Sequence, residues 1–138
     1  MKRKKDKGFT LVELVIVIVI VGILSIVAVP IYRGYTRKAM GTEAKSLLGS
    51  IQTAQKVYYA EHAAFLSLSG DTVFDEALDV DARSNKYFKS FSVTTTGVTD
   101  GFKAITTGAA DTAASGISMT LTAYKSGEPE WKDNGLNS

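Results

Sequence analysis

The chain has 138 residues, 16 basic and 14 acidic side chains for a net charge of +2, one histidine and no cysteine. That length allows one small domain with appendages, and the missing cysteines exclude a disulfide framework and any thiolate metal site. A single histidine excludes a histidine-based metal cluster, and so nearly balanced a charge is not that of a general polyanion binder.

Residues 1–8 form a short basic leader. Lys2, Arg3, Lys4, Lys5 and Lys7 outweigh Asp6 by four charges, and Gly8 closes the segment. From Phe9 to Ile31 the only ionisable side chain is Glu13, and Val, Ile, Leu and Phe fill 17 of 23 positions. At about −0.3 to −0.6 kcal/mol each these favour membrane insertion by roughly 5–10 kcal/mol. One carboxylate opposes this by about 2.5–3.5 kcal/mol at the bilayer centre, and by less near an end. Residues 9–31 are therefore expected to span a membrane as a helix. The run Val15–Val21 is entirely β-branched, but in lipid only a helix satisfies its own backbone. The denser basic cluster precedes the span, although Arg33, Arg37 and Lys38 follow it, so the N-terminus is expected to stay in the cytoplasm. A secretory signal is a poor match: the apolar run is too long, and Pro30 stands where cleavage would fall.

Residues 32–62 predict an amphipathic continuation. Met40, Ala44, Leu47, Ile51, Ala54 and Tyr58 recur at helical spacing, widened by Leu48 and Val57. Lys38, Thr42, Glu43, Lys45, Ser46, Gln52, Thr53 and Lys56 take the opposite, solvated face. A continuous helix from Phe9 to His62 would run roughly 80 Å at about 1.5 Å per residue.

Residues 63–138 predict a small head. Asp71–Ser84 reads as polar and irregular, with a turn of helix around Phe74–Leu78. Strands are expected at Tyr87–Thr95, Phe102–Thr107, Ile117–Tyr124 and Glu130–Lys132, the last placing Trp131 on one sheet face. Short connections make them antiparallel neighbours whose apolar face packs on the helix stripe. The fold class is thus α+β: a long N-terminal α-helix packed on a small C-terminal antiparallel β-sheet.

Chemistry-bearing constellations are missing from the sequence. His62 falls at the expected helix end, in a capping or surface role. Asp71, Asp75, Glu76, Asp79 and Asp81 lack the glycine and terminal glutamate of a calcium loop and read as surface charge. No cofactor and no catalytic residue is expected.

Gly8-Phe9-Thr10-Leu11-Val12-Glu13-Leu14 resembles the processing and methylation signature of type IV pilins and pseudopilins, most closely the type IVa form. The resemblance covers residues 1 to about 35 well and continues along the helix. It implies a pilin fold, cleavage by a prepilin peptidase between Gly8 and Phe9, and methylation of the new amine of Phe9. It also implies that Glu13 docks the subunit into a filament, and that Gly22 and Pro30 mark a stretch of helix able to extend. Cleavage would place an ammonium on Phe9 at the positive end of the helix dipole, one turn from Glu13. In hydrocarbon that charge pair, within a subunit or between neighbours, would fix register. A static proline kink is the rival role for Pro30.

The expected partners follow from the resemblance: identical subunits in a helical homopolymer, the peptidase, an inner-membrane assembly platform, and lipid before assembly. Removing the leader leaves 11 basic against 13 acidic side chains, which suits self-association; DNA could still meet Lys86, Lys89, Lys103, Lys125 and Lys132. The expected location is the inner membrane, as a single-pass precursor, and then an extracellular pilus. Adhesion, twitching motility and DNA uptake are the uses such filaments imply. A type II secretion pseudopilin and a monomeric membrane-anchored binding module are the alternatives. Aromatics along the helix, from Phe9 through Tyr32, Tyr35, Tyr58 and Tyr59 to Phe65, read as packing residues rather than as an electron path.

Overall fold

The computed structural model describes residues 8–95, 97–98 and 100–136. Apart from Gly8, the expected leader lies outside them, as do Thr96 and Thr99 in the connection between the expected strands Tyr87–Thr95 and Phe102–Thr107. The first element is helix α1, Leu11–His62, followed by strands β1 (Leu68–Thr72), β2 (Phe74–Asp75), β3 (Val80–Asp81), β4 (Phe91–Thr94), β5 (Gly101–Thr107), β6 (Ser118–Tyr124) and β7 (Glu130–Asn134). The chain divides into two compact units, Met1–Thr36 and Arg37–Ser138, with α1 contributing to both.

In the first unit the β-branched run is helical, as the backbone argument requires, and Pro30 stands inside the helix. Its apolar side chains from Phe9 to Tyr35 are exposed, and the helix is long and apolar enough to cross a membrane. Pro30 has no N–H to give the carbonyl four residues back. One turn earlier the Ser25 hydroxyl donates to the Val21 carbonyl at 2.7 Å.

The second unit is a helix segment and a sheet around one core. Strands β1-β4-β5-β6-β7 form a fully antiparallel sheet in that order, and β2 and β3 form a separate hairpin. Period-two alternation sends Phe91, Val93, Phe102, Ala104, Met119, Leu121 and Ala123 inward, where they meet Met40, Ala44, Leu47, Leu48 and Ile51 of α1. Burying each large side chain contributes about 1.5–3 kcal/mol. Val57, expected on this stripe, is 56% exposed, because it lies round the helix from the buried line. The buried position is Gln55, whose amide donates to the Leu66 carbonyl at 2.7 Å and accepts from the Leu66 N–H at 2.9 Å. This side chain acts as a substitute strand, reversing the chain just past the helix end.

Glu43 departs from expectation in the same way. Instead of facing solvent, it is half-buried and accepts three backbone N–H groups, from Lys86 at 3.1 Å, Tyr87 at 2.6 Å and Phe88 at 2.8 Å. Those donors are thereby taken from the sheet, so β4 starts at Phe91 rather than at Tyr87. The helical turn expected around Phe74–Leu78 is the β2–β3 hairpin. Asp75 Oδ1 accepts from the Leu78 N–H at 2.9 Å, and Asp79 takes a positive φ of 51°, which closes a tight turn rather than starting a helix. Strand β1, Leu-Ser-Gly-Asp-Thr, was not expected at all; its composition gives no alternation, and it pairs with β4 irregularly. Trp131 lies opposite Leu121 on the core side of the edge strand but stays 42% exposed.

After β7 the chain turns at Gly135, with φ 94°, and Leu136 packs on the core, its Cδ1 at 3.5 Å from where a Cβ on Gly41 would stand. A glycine on the helix therefore receives the C-terminal segment. With no cysteine in the chain, packing performs this closure.

Candidate functional site

The sequence Thr10-Leu11-Val12-Glu13 begins α1, and its spacing is that of a capping box, in which a hydroxyl and a carboxylate three residues apart satisfy each other's backbone donors. Both halves are present. Glu13 N–H donates to Thr10 Oγ1 at 3.3 Å, and Thr10 N–H donates to Glu13 Oε2 at 2.8 Å. The Thr10 hydroxyl also donates to Oε2 at 2.7 Å. Two donors thus converge on one oxygen, while among the described residues Oε1 accepts no hydrogen bond.

The geometry changes the account of Glu13. A carboxylate carried into an apolar span is costly mainly while it lacks donors, and here the first turn supplies them. Its negative charge also lies at the helix end where the macrodipole is positive. Phe9 lies immediately outside, exposed, and Gly8 has open space around its α-carbon. Gly8, Phe9, Thr10 and Glu13 are therefore gathered at one accessible helix end. Gly22 and Pro30 are not part of that cluster; they sit farther along α1, eight residues apart in the sequence, and nothing approaches Gly22.

Thr10 is the residue that sequence reasoning passed over. The signal was available: a Ser or Thr followed three residues later by an acid, directly before an apolar run, marks a helix start. Attention to the charge of Glu13 hid its local partner.

The other candidate residues take structural roles. His62 is the last residue of α1; its ring stacks on Tyr58 at 4.1 Å between centroids, and Nδ1 lies 3.1 Å from the Tyr58 carbonyl. Within the acidic stretch Asp75 caps a turn, and Asp81 pairs with Arg83 at 2.6 Å. Of the lysines that DNA could meet, Lys89 pairs with Asp111 at 3.2 Å, Lys86 lies over the Tyr87 ring and Lys125 over Tyr59. The neighbouring Tyr59 side chain raises the pKa of Lys125. A shallow trough of about 980 Å³ on the outer sheet face gathers Lys103, Ser118, Thr120, Thr122, Glu130 and Lys132, a set of hydroxyls and charged groups without a nucleophile–base pair among the described residues.

Comparison with known proteins bears on the same helix end. Residues 3–29 match the prokaryotic N-terminal methylation motif. The chain is similar to the type IV major pilin protein PilE1 of Neisseria gonorrhoeae, with 41% identity over 88 residues, 64% of this chain and 40% of that protein. A fimbrial protein of Neisseria meningitidis is 40% identical over 88 residues, 64% of this chain and 50% of the relative. The type IV major pilin protein PilA of Myxococcus xanthus is 32% identical over 83 residues, 60% of this chain and 36% of the relative. The chain spans about half, or less, of the length of these relatives.

Proposed function

We propose, for a chain that carries the methylation motif and N-terminal helix of a type IV pilin, that it is a structural subunit of a pilus, held in the membrane and then polymerised with copies of itself. The relatives are named as major pilins and fimbrial proteins, which supports a structural subunit over an enzyme. In this proposal a prepilin peptidase cuts between Gly8 and Phe9, and the new amine of Phe9 is methylated. An assembly platform in the inner membrane then draws the subunit into an extracellular filament, available for adhesion, twitching motility or DNA uptake.

The observation that carries the proposal is the divided carboxylate of Glu13. In the uncut chain Phe9 carries an amide, and Oε2 is held by the donors of Thr10. Cleavage turns the Phe9 nitrogen into an ammonium at the same helix end. Oε1 can accept it, from the same subunit or from the next, without release of Thr10. A charge pair formed in a medium of low dielectric is strong, and breaking it by removing one partner costs about 3–5 kcal/mol. Where the ammonium is the next subunit's, a neighbour docked one turn out of register would leave both charges unpaired, so Glu13 selects the stagger. Gly22, with no side chain, and Pro30, with no N–H, leave the span between them easiest to extend as subunits leave the lipid.

Glu13→Ala tests this. Membrane insertion should persist, because the apolar run dominates it. The yield of filaments sheared from cells should fall by more than about tenfold, as loss of even 1.4 kcal/mol per contact implies. Wild-type filament yield from Glu13→Ala would reject Glu13 as the register device.

A further inference from the structure

The span is bracketed by two polar devices, the capping box at its start and a second cluster at its far end. Tyr32, Arg33 and Tyr35 lie within the first compact unit and are all exposed, the tyrosines at 73% and 67%. At 100° per residue Tyr32 and Tyr35 share one side of the helix, and Arg33 points round the other way, so together they form a belt. Gly34 between them meets nothing within 4 Å. The Thr36 hydroxyl turns back to the Tyr32 carbonyl at 3.1 Å and so presents no competing polar group outward.

The spacing is the informative quantity. From Thr10 to Tyr32 is 22 residues, about 33 Å of helix at 1.5 Å per residue. The hydrocarbon core of a bilayer is about 30 Å thick. With Thr10 and Glu13 at one boundary of the hydrocarbon, Tyr32 stands at the other. Tyrosines favour that boundary because the ring is apolar and the hydroxyl is wet, and an arginine beside them reaches phosphate.

Resting on the membrane-anchored precursor proposed above, we infer that Tyr32, Arg33 and Tyr35 are a binding belt for anionic phospholipid headgroups, in the leaflet facing away from the leader. The belt holds the unassembled helix at a fixed depth. It thereby keeps Glu13 near the opposite headgroup layer rather than at the bilayer centre. Lipid is the occupant favoured over a second copy of the chain because the belt's only charge is positive and lies one membrane thickness from the capping box. Such a site would also impose a step on assembly: a subunit leaving the membrane must release these headgroups.

A probe can be placed in the belt without disturbing it. The chain has no cysteine, and Gly34 has room for a side chain, so Gly34→Cys in the full-length protein accepts a single nitroxide. The labelled chain is reconstituted into vesicles of phosphatidylcholine, with and without phosphatidylglycerol. Depth is read as the ratio of collisions with oxygen to collisions with a water-soluble nickel chelate. With phosphatidylglycerol present the label should sit at headgroup depth. Arg33→Gln should remove the phosphatidylglycerol dependence, a factor of about five for one arginine at an anionic surface. Tyr32→Ala with Tyr35→Ala should shift the label even in neutral lipid. One depth for all variants in both lipids overturns the belt while leaving the membrane anchor intact. Failure of the chain to float with vesicles overturns the anchor, and the belt with it. A depth that follows protein-to-lipid ratio instead of lipid charge assigns these residues to a second copy and overturns the lipid proposal.

Discussion

Glu43 is bound to the head through three backbone donors, the sort of contact a carboxylate makes only when the chain is brought to it in a fixed conformation. Replacing it with alanine leaves the N–H groups of Lys86, Tyr87 and Phe88 without their acceptor. A poorly solvated orphan donor costs about 1–3 kcal/mol. Glu43→Ala should therefore lower stability by about 2 kcal/mol, read as a lower urea midpoint for the full chain in detergent with Trp131 fluorescence as the probe. Unchanged stability would mean that water replaces the carboxylate freely. Asp81 gives a prediction in pH. The side-chain hydrogen bond from Arg83, joined by the Arg83 N–H, holds its carboxyl at about 2, below the ordinary 3.8. Since the folded value is the lower one, the contribution to stability is present above about pH 4 and is lost as pH falls through 2. Amide protection in the hairpin formed by β2 and β3 should weaken across that window, and Asp81→Asn should flatten the dependence.

The elements were legible where one physical signal dominated. Helix α1 could be read because lipid leaves the β-branched run no other structure, and because Met40, Ala44, Leu47 and Ile51 keep helical spacing. Strands β5 and β6 alternate cleanly, and the sequence located both to within a residue. What escaped notice was polar side chains substituting for backbone. Gln55 standing in for a strand, Glu43 shortening β4, Asp75 closing a hairpin and Thr10 capping α1 all depend on partners that spacing alone does not name, except for Thr10. The segment Leu68–Thr72 is a strand only because β4 offers it a partner. Closure of the C-terminal segment yields a prediction at this scale. Gly41 lies inside a helix, where glycine is weaker than alanine by roughly 0.5–1 kcal/mol, and its missing Cβ would meet Leu136 at an ordinary contact distance. Gly41→Ala should raise the urea midpoint by a corresponding amount. Gly108→Ala should do the opposite, because a Cβ there collides with the Ala114 backbone in the bridge between Gly108 and Ser115.

At the scale of the whole molecule, the two compact units are suited to two solvents. The first exposes an almost wholly apolar helix whose one acid is supplied with local donors, and the second buries its own core beneath a sheet. In the proposed function the span leaves lipid for the apolar helices of neighbouring copies, which a solitary anchor would not have. The most direct measurement is mass spectrometry of the N-terminal peptide of this protein in filaments sheared from cells. The account predicts a peptide that starts at Phe9 and carries one added methyl group on its amine. Finding the chain with its leader intact, in membrane fractions alone, would contradict it.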